Sequence, residues 1–332
     1  MKKLLVTCLL LAGVLETNAQ NISSTAALTS GGNLAGTVGV ASTYYGNNAG
    51  KISTGTSNTF IGSLAGSSNT TGINNVYLGR SSGLQNLGSN NTFSGANSGG
   101  NSGCVLSVCS TTGNFNSFYG SLSGNANNGG NNNAFFGANA GGIKNTTGSN
   151  NTYLGYSSGA TNNGSGNVFL GVNSGPSGNS LGTTVNNQLF VDNSVNSNPL
   201  IWGDFANDQL KLNGTVGIGS ITAFPTSQIY SNYKLFVTGG ILTEEMRVAL
   251  ASTWADYVFA KDYNLKPLSE VEKYINENGH LANVPSAEQI KNEGINVGEM
   301  AKIQQEKMEE LTLYIIQQNK RIEALEAKIN SK

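Results

Sequence analysis

Between residues 42 and 175 one short arrangement of apolar and polar positions returns eight times: an Asn or Ser, a small residue, an aromatic, a variable residue, then Gly-x-x-(Ala/Ser)-Gly. The copies open at Ser42, Asn58, Asn75, Asn91, Asn116, Asn133, Asn151 and Asn167, in steps of 16, 17, 16, 25, 17, 18 and 16 residues. The third position is aromatic in every copy, as Tyr44, Phe60, Tyr77, Phe93, Phe118, Phe135, Tyr153 and Phe169. In a strand, neighbouring side chains point to opposite faces, so Thr59 and Ile61 share one face while Phe60 takes the other. A fixed period with a fixed aromatic predicts a solenoid in which each coil packs on the coils before and after it. Strands about 4.8 Å apart would then set the eight aromatics in one ladder and extend the repeats over roughly 38 Å. The invariant glycines at the fifth and ninth positions suit corners with positive φ, and the Ala or Ser between them suits crowding between coils.

After residue 186 the pattern changes. Alternation around Leu210, Leu212, Val216 and Ile218 predicts short strands joined by turns, and Tyr233–Thr238 predicts one more before Gly239 and Gly240. Three helix starts carry a capping residue followed three positions later by Glu or Gln: Ser269 with Glu272, Ser286 with Gln289, and Asn296 with Glu299. Gly279 and Gly294 stand where the first two helices end. The last helix, from about Val297 to Asn330, sets Ala301, Met308, Ile315, Ile322 and Ile329 at one heptad position and Gln304, Leu311, Gln318 and Leu325 at the other. This is a coiled-coil seam, and the Arg321 to Glu326 spacing favours self-association. Ile at one seam position with Leu at the other favours two strands, whereas Gln304 and Gln318 accommodate a third, so spacing leaves the number open.

The expected fold is therefore mainly β with an α carboxy terminus: a β-solenoid or β-roll of about eight coils, a short β neck, a small helical domain and a coiled coil. The segments are a signal peptide at 1–20, a lead-in at 21–41, the repeats at 42–186, the neck at 187–243, the helical tail domain at 244–296 and the coiled-coil helix at 297–332. Lys2 and Lys3, an apolar run from Leu4 to Leu15 and the small-residue end Thr17-Asn18-Ala19 carry the signal-peptide reading, with cleavage near Ala19 or Gln20. The apolar run is shorter than the ~20 residues that span a bilayer. The mature chain is expected to be secreted or displayed at the cell surface, with no membrane insertion.

Charge sharpens the division and narrows the chemistry. From Asn21 to Val191 there is no Asp or Glu, and the only basic side chains are Lys51, Arg80 and Lys144. Hard cations want carboxylate oxygens, so the usual calcium site is not expected in the repeats. Paired carboxylates or a His-based nucleophile system are equally lacking there, and the one histidine, His280, follows a helix-ending Gly279. No catalytic residue, metal or cofactor is expected, and the chain is not expected to be an enzyme. No clustered basic surface exists for nucleic acid. Cys104 and Cys109 lie in the one long step, and in an oxidising compartment they are candidates to close a small loop.

Asn58-Thr-Phe-Ile-Gly-Ser-Leu-Ala-Gly and Asn167-Val-Phe-Leu-Gly-Val-Asn-Ser-Gly resemble the head repeats of trimeric autotransporter adhesins. That resemblance, over about 140 residues, implies left-handed parallel β-rolls associated as trimers. Trp254–Tyr263, Asn278–Ser286 and Gly294–Met300 resemble the tail of secreted tail-fibre-domain proteins of Bacteroidota type. That tail is similar in placement to the intramolecular chaperones of phage tail spikes, which assemble trimers and in some members cut themselves off. Their Ser-Asp-x-Arg-x-Lys motif is not matched here: the corresponding point reads Thr243-Glu-Glu-Met-Arg-Val248, without the serine or the lysine. The expected function is a fibre-like, adhesin-like structural protein, a homo-oligomer with a trimer favoured, assembled by its carboxy-terminal region. The alternatives are a flat solenoid face that holds glycans or ice, with a surface glycan or host cell surface as partner, and a self-cleaving tail-fibre chaperone.

Overall fold

A computed structural model describes residues 22–25, 28–100, 112–143, 145–176, 184–195, 197–225, 231–249 and 254–331. The signal-peptide segment, Cys104, Cys109 and Lys144 lie outside the described residues. The chain divides into two compact units, Met1–Gly239 and Gly240–Lys332.

The first unit is a β-solenoid. Strand β3 (Ser42–Tyr45) opens the eight phrases and β10 (Val168–Leu170) closes them, each strand centred on the third-position aromatic. Every strand pairs in parallel with the next, in a register that sets aromatic on aromatic: Phe60 on Tyr77, Tyr77 on Phe93, Phe93 on Phe118. Two further strands that lack the phrase continue the ladder, β2 (Leu28–Gly31) before it and β11 (Gln188–Val191) after it. The solenoid therefore has ten parallel rungs, eight plus one at each end, rather than the eight expected. Gln188–Val191 belongs to the ladder and not only to a neck, because Phe190 supplies a buried ring at the aromatic position.

Four residues per phrase hold a positive φ: the one before the first position, and the fifth, seventh and ninth. In the phrase opening at Asn75 they are Asn74 (57°), Gly79 (128°), Ser81 (56°) and Gly83 (57°). Asn, Ser and Gly suit such corners, yet Leu64, Leu122 and Phe115 hold them too, at 63°, 59° and 57°. What keeps those costly corners in place is the next coil. Gly62 and Leu64 donate backbone N–H groups to Tyr45 and Asn47, both at 2.8 Å, and Gly66 donates to Ser82 at 2.9 Å. Hydrogen bonds thus run between coils at the corners as well as along the strands.

Both ends of the ladder reverse direction. Strand β1 (Ile22–Thr25) pairs antiparallel with β2, and β12 (Ile201–Asp204) and β13 (Gln209–Leu212) pair antiparallel beyond β11. Lys211 on the outermost strand lies 5.2 Å from the Trp202 ring centre, and a charged residue there blunts an otherwise open edge. Strands β14 (Val216–Ile218) and β15 (Leu235–Val237) form a separate parallel pair.

The second unit contains a 3-10 turn (Ala255–Phe259) and helices α1 (Leu268–Asn278), α2 (Ala287–Glu293) and α3 (Val297–Asn330). The 3-10 turn packs against α3 and buries Ala255 and Val258. Ser286 forms the expected capping box with Gln289, and Asn296 accepts from the Glu299 N–H. Ser269 does not cap. Helix α1 starts two residues earlier than that cap implies, behind Pro267, whose fixed φ of −59° launches the helix without a side-chain acceptor, so Ser269 lies inside the first turn. Gly279 and Gly294 end α1 and α2 with φ of 75° and 77°.

Candidate interaction surfaces

The eight aromatics sit on the inward side of their strands and are at most 1% exposed. Successive ring centres lie 4.7 to 5.2 Å apart with planes within 22° of parallel, so the rings form one continuous stack. Phe190 ends it edge-on, at 73° to Phe169. The tyrosine hydroxyls are satisfied inside: Tyr44 donates to Ser53 Oγ at 3.1 Å, Tyr77 donates to Asn86 Oδ1 at 3.0 Å, and Tyr153 accepts from Asn162 Nδ2 at 3.0 Å. Burial pushes the Tyr77 and Tyr153 phenols well above their ordinary value of 10.0, against the smaller downward pull of neighbouring asparagines. The stack is a core, and a ligand cannot reach it.

Beside the rings runs a ladder of buried asparagines. The Asn75 N–H donates to Asn58 Oδ1 and the Asn91 N–H to Asn75 Oδ1, both at 2.9 Å. The Nδ2 group of Asn58 donates to the Gly72 carbonyl, and that of Asn75 to the Gly88 carbonyl, at 2.8 and 2.9 Å. The same pair of bonds recurs at Asn116, Asn133 and Asn151. Each first-position Asn therefore satisfies two backbone groups of the following coil, as buried polar groups require. Sequence reasoning missed the glycine partners, although Gly55, Gly72, Gly88, Gly113, Gly130, Gly148 and Gly164 each stand three residues before the phrase's Asn. That spacing was the available signal.

The outward side of the same strands is open. Its fourth-position column holds Tyr45, Ile61, Leu78, Tyr119, Phe136 and Leu154, each 37% to 53% exposed, with Ser94 interrupting it after Leu78 and a half-buried Leu170 at its end. The Tyr119 and Phe136 rings stack at 4.8 Å, and Tyr156 and Val172 extend the apolar area past them. The second-position column beside it is Thr43, Thr59, Val76, Thr92, Ser117, Ala134, Thr152 and Val168. Neither column carries a charge. An uncharged apolar stripe along several rungs is the kind of surface that meets another molecule.

In the second unit the seam residues Met308, Leu311, Ile315, Ile322, Leu325 and Ile329 are 51% to 72% exposed. Ala301, Gln304 and Gln318 are also exposed. The opposite flank of α3 is occupied by a polar cluster with no local sequence signal. Tyr257 donates a short hydrogen bond to Glu306, and Tyr263 donates to Glu310 at 2.5 Å. Lys307 donates to both carboxylates at 2.9 Å, and Tyr314 donates to the Lys266 carbonyl at 2.6 Å. The hydrogen bond to Glu306, then burial and the nearby carboxylates, push the Tyr257 phenol up to about 12. Burial drives Glu306 upward, but the hydrogen bonds from Tyr257, Lys307 and Asn283 outweigh it and hold the carboxyl below its usual range. These contacts join residues almost 50 positions apart, which no local pattern announces. The cluster anchors the 3-10 turn and the segment leading into α1 to α3.

Among the described residues, no group of three or more His, Cys, Asp and Glu side chains is placed to hold a metal ion, and no helix is long and apolar enough to cross a membrane. No protein-family description, curated protein or solved structure matches the chain.

Proposed function

We propose that this chain is a secreted or surface-displayed structural protein, fibre-like and adhesin-like, whose solenoid forms the shaft or head and whose carboxy-terminal region assembles a homotrimer. The observation that carries this reading is the bare seam of α3. Six large apolar side chains at heptad spacing face solvent there, and such a stripe is stable in water when a second helix covers it. Two features of the repeats support the reading. Their third-position aromatic and first-position amide side chains are consumed by stacking and ladder bonds between coils, and the repeats carry no acidic group for acid–base chemistry. The trimer, rather than the dimer, rests on the resemblance of the repeats and tail to trimeric fibre proteins.

The experiment is a mass measurement of the mature protein in solution, with and without residues 297–332. Three copies are expected for the full chain and one for the shortened chain. A monomer in both cases removes the assembly reading. The glycan-binding alternative now attaches to the outward column around Tyr119 and Phe136 and not to the inward stack, since rings in the open can pack on a sugar face.

A further inference from the structure

Helix α1, the turn at Leu281–Val284 and the first half of α3 enclose an open apolar groove of about 720 Å³. Leu268 and Val271 form one wall, Leu281 and Val284 part of another, and Met308 and Leu311 the side nearest the seam. Leu268 and Leu281 are 48% and 41% exposed although their neighbours are apolar. Gln304, Met308 and Leu311 belong to the groove and to the heptad seam at once, so the groove continues into a mostly apolar seam that runs through Ile315 to Ile329, with Gln318 as its one polar position beyond the groove.

The charges beside that surface select its occupant and its direction. Arg321 and Lys328 lie on one flank of the seam and Glu326 on the other, at the positions that oppose each other between neighbouring helices. A parallel, in-register helix with this same sequence brings Arg321 opposite Glu326 of the other copy. An antiparallel one sets Arg321 and Lys328 against each other, like charge on like. An occupant must also be apolar at heptad spacing over the length of the surface, and α3 itself has that pattern.

We propose that the groove is the docking site for α3 of a second copy of this chain, parallel and in register, so that α1 and the Leu281–Val284 turn form part of the subunit interface. This rests on the self-association reading of the seam and extends the interface beyond the coiled coil to a collar at its amino-terminal end. The polar cluster of Tyr257, Tyr263, Glu306 and Glu310 then has a defined use: it ties the segment before α1 to α3, and Lys307, Glu310 and Tyr314 form the polar border of the groove.

The test measures association of the full-length chain by light scattering over a range of concentrations, with helix content followed by circular dichroism. The variants are Leu268→Glu and Leu268→Met in the groove and Ile322→Glu in the distal seam. Leu268 is the first residue of α1, where an acidic side chain suits the helix dipole, so the folded monomer is expected to tolerate Leu268→Glu. Leu268→Glu is expected to weaken association by about tenfold or more with helix content unchanged, Leu268→Met to leave it unchanged, and Ile322→Glu to dissociate the copies. Should Leu268→Glu lose helix content, Leu281→Ser on the facing wall decides in its place. Association unchanged by the groove variants but abolished by Ile322→Glu overturns the docking site and leaves the seam reading standing. A wild-type monomer, or an Ile322→Glu protein that associates normally, overturns both.

Discussion

A methyl group added at Gly83 would lie 2.4 Å from the Tyr77 ring, in a backbone conformation of φ 57° that a side chain resists. The ninth-position glycines of the inner phrases stand under their own aromatics in this way, with added atoms at 2.2 to 2.9 Å from the ring in the phrases from Gly50 to Gly159. Gly83→Ala is therefore expected to cost about 2–4 kcal/mol, combining left-handed strain with a clash inside the stack. Gly129→Ala meets nothing within 4 Å and is expected to fall within about 0.5 kcal/mol of wild type. Chemical denaturation of the two variants beside the parent makes the comparison, and equal losses at both sites would contradict the close packing of Gly83 under its ring.

At the scale of the strand, two neighbouring phenylalanines on opposite faces separate core from surface. Phe135 lies in the enclosed stack between Phe118 and Tyr153, whereas Phe136 stands outward and 40% exposed. Phe135→Ala is expected to destabilise the solenoid by about 3–5 kcal/mol, and Phe136→Ala by about 1 kcal/mol or less. Thermal and denaturant unfolding check the ranking, and the reverse order would place the wrong face inside. This alternation was legible in the sequence because period-two strands leave a mark in every copy. The ladder's end rungs were not. Leu28–Gly31 has Ser30 where the phrase has an aromatic, and Gln188–Val191 keeps the aromatic as Phe190 but lacks the two glycines, so neither matches the full phrase although both pair into the ladder. Helix α1 illustrates a second limit: Ser269 and Glu272 have capping spacing, but Pro267 sets the chain direction two residues sooner. The Tyr257–Glu306 and Tyr263–Glu310 bonds were hidden for a different reason, since tertiary packing alone brings those residues together.

Across the whole chain, five tyrosines are held back from ionising in alkali. Of the 12 tyrosines, Tyr77, Tyr153, Tyr257, Tyr263 and Tyr314 are held above their ordinary value of 10.0. For the first two and for Tyr263 and Tyr314 the leading cause is burial, and for Tyr257 it is the bond to Glu306. A raised phenol favours the folded state fully below pH 10.0 and loses that contribution as pH rises, through about 12 for Tyr257 and beyond it for Tyr77 and Tyr153. Glu306 works in the opposite sense: its depressed carboxyl stabilises the fold above the ordinary 4.5 and stops doing so as acid protonates it. Ultraviolet titration is expected to show tyrosinate at these five positions forming only together with loss of sheet and helix signals. A single early stage with the fold intact would rule out the enclosed stack.

Because the chain turns back on itself at β1 and again at β12, neither extremity of the ladder presents a parallel rung that a further coil could join. Its length is accordingly a counted quantity, set by how many phrases the gene encodes. Duplicating one phrase should lengthen the rod by about 4.8 Å while leaving its cross-section unchanged, which makes the solenoid a molecular ruler open to adjustment one graduation at a time.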